Sequence, residues 1–321
     1  MEKQGEVNES CITLPMTDDI LWMGENSTYL GTSHNGEASR LLESLASIQG
    51  YKYIGACRVQ EEETMGKCKV VAISNQKGGV AKTTSTGAIA AGLAIRGYKV
   101  LAIDLDPQGN LSESIGADNQ SRPTIYDILK SKAQVRETVQ KMEAFDLIPA
   151  NILLAQADLE FTATGKEYRL KESIEPILGD YDYLILDTPP SLGIMTINAF
   201  TAADEVIIPT TPSIFAASGI MQLFSTIATV RKYCNPALKI AGILMTKCDP
   251  RTTISKDIRE LTEELSNAID TQVFKTFIRC SVSVEKAQAE RKDLFTYDKK
   301  MENNVTKDYD IFVEEYLKEE K

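Results

Sequence analysis

The chain has 321 residues, 43% of them hydrophobic, which is enough apolar material for one sizeable core with a small module attached. Its formal net charge of -11 excludes indiscriminate attraction of nucleic acid to the whole surface, because phosphate contact needs locally positive potential; a basic patch stays open. No run approaches the roughly 18 consecutive apolar residues of a membrane span, and residues 1–13 lack the basic start and apolar stretch of a signal peptide, so the expected location is cytoplasmic.

Residues 1–66 carry no strong helical or strand period, apart from an expected short helix at 37–48 and an apolar patch at 51–57. The acidic run at 60–64 then reads as a linker. This stretch is expected to be an N-terminal extension or small accessory segment, distinct from a domain spanning 67–321. His34, the single histidine, falls in a Gly/Ser/Asn-rich stretch with the character of a loop. The six cysteines are scattered without C-x-x-C spacing, so reduced thiols are expected in place of a zinc site or disulfide framework.

From Cys68 the texture changes. Residues 69–74 (Lys-Val-Val-Ala-Ile-Ser) read as a buried strand, followed by a Gly-rich turn and a helix from Lys82 to about Arg96. A second apolar strand ends at Asp104. Strand, loop, helix and strand within some forty residues make a βαβ unit, whose crossover demands parallel strands. Further apolar runs at 146–149, 183–187, 205–209 and 240–246 alternate with helical stretches such as 219–233 and 255–268. The expected fold class is therefore α/β, a mostly parallel sheet covered by helices on both faces.

The strongest chemical signal is Asn75-Gln-Lys-Gly-Gly-Val-Ala-Lys-Thr-Thr84. Adjacent glycines between a buried strand and a helix let backbone N–H groups turn inward and cradle phosphate oxygens at the positive end of the helix. Gly78, Gly79, Val80, Ala81, Lys82, Thr83 and Thr84 are the expected cradle; Lys82 neutralises β/γ-phosphate charge and the Thr83 hydroxyl is placed for Mg²⁺. Gln76 and Ala81 occupy the two glycine positions of the ordinary P-loop pattern. The stretch instead matches the deviant form K-G-G-x-x-K-[ST], with Lys77 as its extra lysine.

Three carboxylates fall where a phosphate site needs them. Asp104 and Asp106 lie in Asp-Leu-Asp-Pro-Gln-Gly-Asn110, and Asp187 ends a strand in Leu-Ile-Leu-Asp-Thr-Pro-Pro190. Ligands of open parallel sheets bind at the carboxyl ends of strands, so all three are candidates to face the loop's crevice. A carboxylate there holds Mg²⁺ through water, or positions the water for in-line phosphoryl transfer.

Together these motifs resemble the ParA/MinD superfamily of P-loop NTPases, and the resemblance covers roughly residue 67 to the end. It implies ATP and Mg²⁺ as cofactors and a homodimer with ATP, in which Lys77 reaches the nucleotide of the partner subunit. Asp106 would belong to a first switch and assist the catalytic water. Asp187 would be the Walker B carboxylate, with Pro189 and Pro190 in a second switch, and Thr246 and Lys247 would lie near the adenine. Ala81 stands where many relatives have Gly.

Asp-Leu-Asp-Pro-Gln-Gly-Asn and Asp-Thr-Pro-Pro-Ser-Leu-Gly resemble the partition branch. A MinD-like protein would finish with a basic amphipathic membrane helix, whereas residues 308–321 are acidic and repelled by anionic lipid, so no membrane partner is expected. The resemblance implies an ATPase that binds DNA non-specifically and answers to a ParB-like activator. Arg251, Lys275, Arg279, Lys286 and Arg291, with Lys256, Arg259 and Lys292, supply cations in the expected DNA region, although acidic residues are interspersed and a solvated helix face is the plainer reading. Two alternatives stand beside it: an ATPase that positions a protein assembly without DNA, and a nucleotide-regulated binding module in which residues 1–66 recruit a partner or a DNA operator.

Overall fold

Short apolar strands separated by helices assemble into a sheet whose centre is solvent-free on both sides. The computed structural model describes residues 10–13, 20–23, 68–213, 216–249, 251 and 253–319. The chain divides into two units, Met1–Met65 and Gly66–Lys321. In the first, strands β1 (Ser10–Thr13) and β2 (Ile20–Met23) pair antiparallel, with Ser10 opposite Met23 and Thr13 opposite Ile20. The helix expected at 37–48, the patch at 51–57, His34 and the acidic linker lie outside the described residues.

The second unit is built on β3 (Lys69–Ile73), β4 (Val100–Asp104), β5 (Gln140–Lys141), β6 (Asp146–Ile148), β7 (Tyr183–Asp187), β8 (Glu205–Thr210), β9 (Lys239–Cys248) and β10 (Val273–Arg279). They lie in the order β10-β9-β8-β3-β7-β4-β6-β5. Only the short β5–β6 pair is antiparallel; the other pairings are parallel. The longer helices are α1 (Lys82–Ala94), α2 (Ile194–Ala202), α3 (Ala216–Tyr233), α4 (Thr253–Ala268) and α5 (Asn304–Glu319).

Every residue of β4 and β7 is buried, which is why their sequences read as continuous apolar runs without alternation. Successive side chains feed two separate cores. Val70, Ala72, Leu184 and Leu186 join Phe200 of α2 and Leu223 and Ile227 of α3. Val71, Ile73, Ile185 and Ile207 join Ile89 and Leu93 of α1 and Tyr309, Phe312 and Val313 of α5. Each such aliphatic side chain contributes about 1.5–3 kcal/mol by leaving water. The α1–α5 approach is close: a Cβ on Gly92 would stand 2.9 Å from Val313 Cγ2, so the small residues of α1 are packing choices.

The strand β10 has no counterpart among the sequence expectations. Its run Val-Phe-Lys-Thr-Phe-Ile-Arg is broken by Lys275 and Arg279, as suits an edge strand. The acidic helix α5 covers that edge. Glu315 accepts from the Lys275 and Thr276 amides at 2.7 and 2.9 Å, and Asp308 accepts from the Arg279 amide at 3.0 Å. Its carboxylates thus stand in for a missing neighbour strand, while Phe312 and Tyr316 fill the core below. Among the described residues no helix is long and apolar enough to cross a membrane.

Candidate functional site: a phosphate-loop cleft

The loop between β3 and α1 opens at the carboxyl edge of the sheet. There Ile73 is in register with Asp187, and Asp187 with Asp104, so three strand ends meet at one level. Asn75 is buried and acts as a staple: its Nδ2 donates to Pro209 O at 2.8 Å, and its Oδ1 accepts from the Lys77 amide at 2.9 Å. Gly79 and Ala81 both take left-handed backbone angles, φ 74° and 63°. Left-handed residues in a turn aim successive amides into one concavity, the arrangement that binds anions. Ala81 O then accepts the Ser85 amide at 2.8 Å, which starts α1.

Lys82 opens that helix and is only 7% exposed. Its Nζ lies 3.4 Å from Lys77 O, bending across the loop. Burial pulls the ammonium below its usual pKa, and the charges of Asp187 and then Asp106 oppose the pull. Lys77 is half-buried, and its Nζ donates to Ser213 Oγ at 3.0 Å, beyond the end of β8 in the same chain.

Asp187 is completely buried beneath the loop. Its Oδ1 accepts from Thr86 Oγ1 at 3.2 Å, whereas Oδ2 has no hydrogen-bond partner among the described residues. Burial first, and the neighbouring Asp104 charge second, push its carboxyl up to about 8, against a hydrogen bond from the Thr83 side chain and the Lys82 charge that hold it down. A buried carboxylate oxygen with no donor is unfavourable unless a cation or its water satisfies it. Thr83 lines the cleft next to Lys82. The donor set of one hydroxyl and one carboxylate, with room for water and phosphate oxygens, fits Mg²⁺.

Asp106 stands on the next loop. Its Oδ1 accepts the Gln108 amide at 2.9 Å and its carbonyl accepts the Gly109 amide at 2.9 Å, a tight self-closed turn. Asp104, fully buried at the end of β4, is pushed up to about 6 by burial, against the Ser112 and Asp106 donors that hold it down.

Between these loops and the segment after β10 lies a cleft of about 1330 Å³. Gly78, Gly79, Ala81, Lys82, Thr83, Thr84, Asp106 and Lys247 line it. Val80, Asp187 and Thr246 are buried below its surface. The far wall holds residues the sequence did not single out, among them Ile278, Cys280 and Tyr309. Tyr309 is tied to the loop helix by a 2.9 Å hydrogen bond to Ser85 Oγ. Gln108 and Asn110, inside the Asp-Leu-Asp-Pro-Gln-Gly-Asn motif, and Pro190 also line it and carried a local signal; Ile278, Cys280 and Tyr309 lie some two hundred positions from the phosphate loop.

Three of the expected site residues are engaged within the fold. Thr246 is fully buried, and its hydroxyl lies 3.0 Å from Val80 O and 3.1 Å from Thr210 O, bracing the phosphate loop from β9. Arg279 lines the cleft, but its guanidinium is taken up by Asp308, at 2.9 Å from Nε and 2.5 Å from Nη2. Arg251 is likewise forked onto Asp249, at 3.0 and 2.9 Å. Both cations are locally neutralised by carboxylates that the sequence places close by or across the fold. Lys275, Lys286 and Arg291 are exposed and enter no ion pair among the described residues. Arg259 pairs with Glu263 and Lys292 with Glu290; the Lys256 side chain lies outside the described residues.

Comparison with known proteins agrees with this geometry. A family model described as an AAA domain matches residues 68–240. The sporulation initiation inhibitor protein Soj of Bacillus subtilis is 40% identical over 234 residues, covering 72% of this chain and 91% of Soj. The chromosome partitioning protein ParA of Caulobacter vibrioides is 39% identical over 238 residues, covering 72% and 88%. Among solved structures, a cobyrinic acid a,c-diamide synthase from Mycobacterium smegmatis with bound ATP analog and magnesium superposes with a TM-score of 0.70 at 34% identity, over 79% of this chain and 96% of that one. With a phosphate loop, a buried carboxylate behind it and this degree of identity, the chain belongs to the Soj/ParA family of partition ATPases.

Proposed function

We propose that the protein is a cytoplasmic Mg²⁺-ATP-dependent switch that dimerises with ATP, holds DNA non-specifically in that state, and releases it when a ParB-like partner accelerates hydrolysis. The cargo would be a plasmid, a chromosome or a mobile element. The observation that carries the reading is one loop bearing Lys77 and Lys82 above a buried Asp187 oxygen that has no donor.

In this reading Lys82 and the amides of 78–84 take the triphosphate of their own subunit. Lys77 hydrogen-bonds to a neutral serine, an interaction of about 1.5–3 kcal/mol, which the greater charge of a γ-phosphate across a dimer interface replaces. Thr83, and Asp187 through water, would hold Mg²⁺, which would supply positive charge to the phosphate oxygens. Asp106 orients the attacking water at the cleft. The new O–P bond forms as the bond from the γ-phosphorus to the bridging oxygen breaks, releasing ADP and phosphate. Lys247, the end of β10 and the two residues after it line the cleft where the base would lie.

The test is sedimentation and DNA retention with ATP against ADP, across a salt series. Lys82→Ala is expected to bind no nucleotide, and Asp106→Ala to accumulate an ATP-bound dimer. An Asp106→Ala protein that stays monomeric with ATP refutes the role given to Asp106, and no affinity of the wild type for Mg²⁺-ATP refutes the whole reading. The pairing of Arg279 and Arg251 with acids favours a second reading, an ATPase that positions a protein assembly without DNA. It predicts no DNA shift at low salt even with a slowly hydrolysed analogue.

A further inference from the structure

We infer that Asp104 and Ser112 are positioning residues for hydrolysis, a two-residue clamp that fixes the loop carrying Asp106. The inference rests on the ATPase reading above, but the clamp itself is a feature of the protein without nucleotide.

Asp104 lines no part of the cleft and is fully buried, so it touches neither phosphate nor water there. Its two oxygens instead collect three donors from the loop that follows it. Oδ1 accepts the Asp106 amide at 3.1 Å; Oδ2 accepts the Ser112 amide at 2.9 Å and the Ser112 hydroxyl at 2.7 Å. The start and the end of the loop are thereby tied to one carboxylate. Ser112 extends the chain of bonds, because its Oγ also accepts the Ala150 amide at 3.0 Å, beyond the end of β6. Leu105, buried between Asp104 and Asp106, donates its amide to Asp187 O at 2.9 Å. Asp106 is therefore held from both flanking strands, β4 and β7.

The residue types follow from this task. Three donors converging on one point need an acceptor-only group with two oxygens, which among neutral or charged side chains means a carboxylate. An asparagine would turn an N–H₂ toward at least one donor. Ser112 must donate to Asp104 and accept from Ala150 at once, which a hydroxyl does and a methyl does not. A displacement of about 1 Å in a group that positions a reacting water lowers turnover by as much as 10²-fold. The clamp thus acts on turnover and leaves nucleotide affinity to the phosphate loop.

The experiment compares wild type, Ser112→Ala, Asp104→Asn and the double variant in the full chain. Expected for each single variant is a fall in kcat of about 10- to 100-fold, with KM for Mg²⁺-ATP and Kd for a non-hydrolysable analogue within about twofold of wild type. The double variant is expected to be no worse than the weaker single, because one clamp is broken once. In nucleotide-free protein, amide hydrogen exchange at Asp106, Ser112 and Ala150 is expected to quicken about 10-fold in Ser112→Ala, with core strands unchanged. Unchanged kcat, a parallel rise in KM and Kd, additive losses, or unaltered exchange at those amides each overturn the inference. Should wild type prove inactive toward ATP, the proposed function fails first, and the exchange measurement still decides whether the clamp exists. If Asp104→Asn does not fold, Ser112→Ala carries the kinetic and exchange tests alone.

Discussion

Gly109 is a position where a single methyl group should be costly on two counts, backbone angle and contact. Its backbone is left-handed, φ 65°, and a Cβ there would lie 2.9 Å from Ala150 O and 3.0 Å from Asn119 Nδ2. Alanine in that conformation costs about 1–2 kcal/mol, and the stiffer unfolded chain returns about 0.4–1 kcal/mol. A net cost of about 0.5–1 kcal/mol is left. The remaining cost is steric: overpacking against a backbone carbonyl costs about 1–3 kcal/mol, and displacing the Asn119 Nδ2 to Ala150 O hydrogen bond, now 3.1 Å, costs about 1 kcal/mol. Gly109→Ala should therefore lose about 2.5–5 kcal/mol, read as a fall in Tm of about 5–20 °C in a domain of this size. Gly165→Ala is the control, since Gly165 is also left-handed, φ 82°, but a Cβ there meets nothing within 4 Å. Thermal and urea unfolding of both variants separate backbone conformation from contact. A Gly109→Ala protein no less stable than Gly165→Ala refutes the steric argument.

Ala81→Gly should act with the opposite sign: relief of a left-handed alanine at about 1–2 kcal/mol outweighs the entropy of glycine, for a gain of about 0.5–1 kcal/mol in thermal unfolding, and a lower Tm contradicts it. In metal-free protein Asp187 and Asp104 are raised to about 8 and about 6, so the folded form keeps protons that the unfolded chain has released. This contribution is complete below about pH 4 and is lost as pH rises through 6 and then 8. Without Mg²⁺, Tm should fall more steeply from pH 5 to 8.5 in wild type than in Asp187→Asn; equal slopes refute the assignment. Arg279→Ala leaves Asp308, 8% exposed, with only the Arg279 amide, and should cost about 2–3 kcal/mol in urea unfolding. Lys286→Ala and Arg291→Ala should stay within about 0.5 kcal/mol of wild type while lowering the salt slope of DNA retention by about 1 each. Intact stability in Arg279→Ala would mean its pairing with Asp308 is not structural.

The phosphate loop and its carboxylates were legible because their chemistry is local. Asn75–Thr84 encodes its own turn, and Asp104, Asp106 and Asp187 each end or follow an apolar run that only a doubly covered parallel strand explains. The strands β3, β4, β7, β8 and β9 were visible for the same reason. Pairing across the fold was not. Nothing near Thr246 says that its hydroxyl will meet Val80, 166 positions away, instead of a base. Nothing near Arg279 announces Asp308, and β10 hides because an edge strand needs neither a continuous apolar run nor strict alternation.

The sequence by itself determined which atoms are available to grip a triphosphate, since the order of residues along one loop and one helix is enough for that. Tertiary structure alone decided which cations enter ion pairs, which buried carboxylate oxygen lacks a donor among the described residues, and that Asp104 gathers the amides of the loop that follows it. Those outcomes depend on which distant segments the sheet order β8-β3-β7-β4 brings side by side, and burial then sets the charge each group carries.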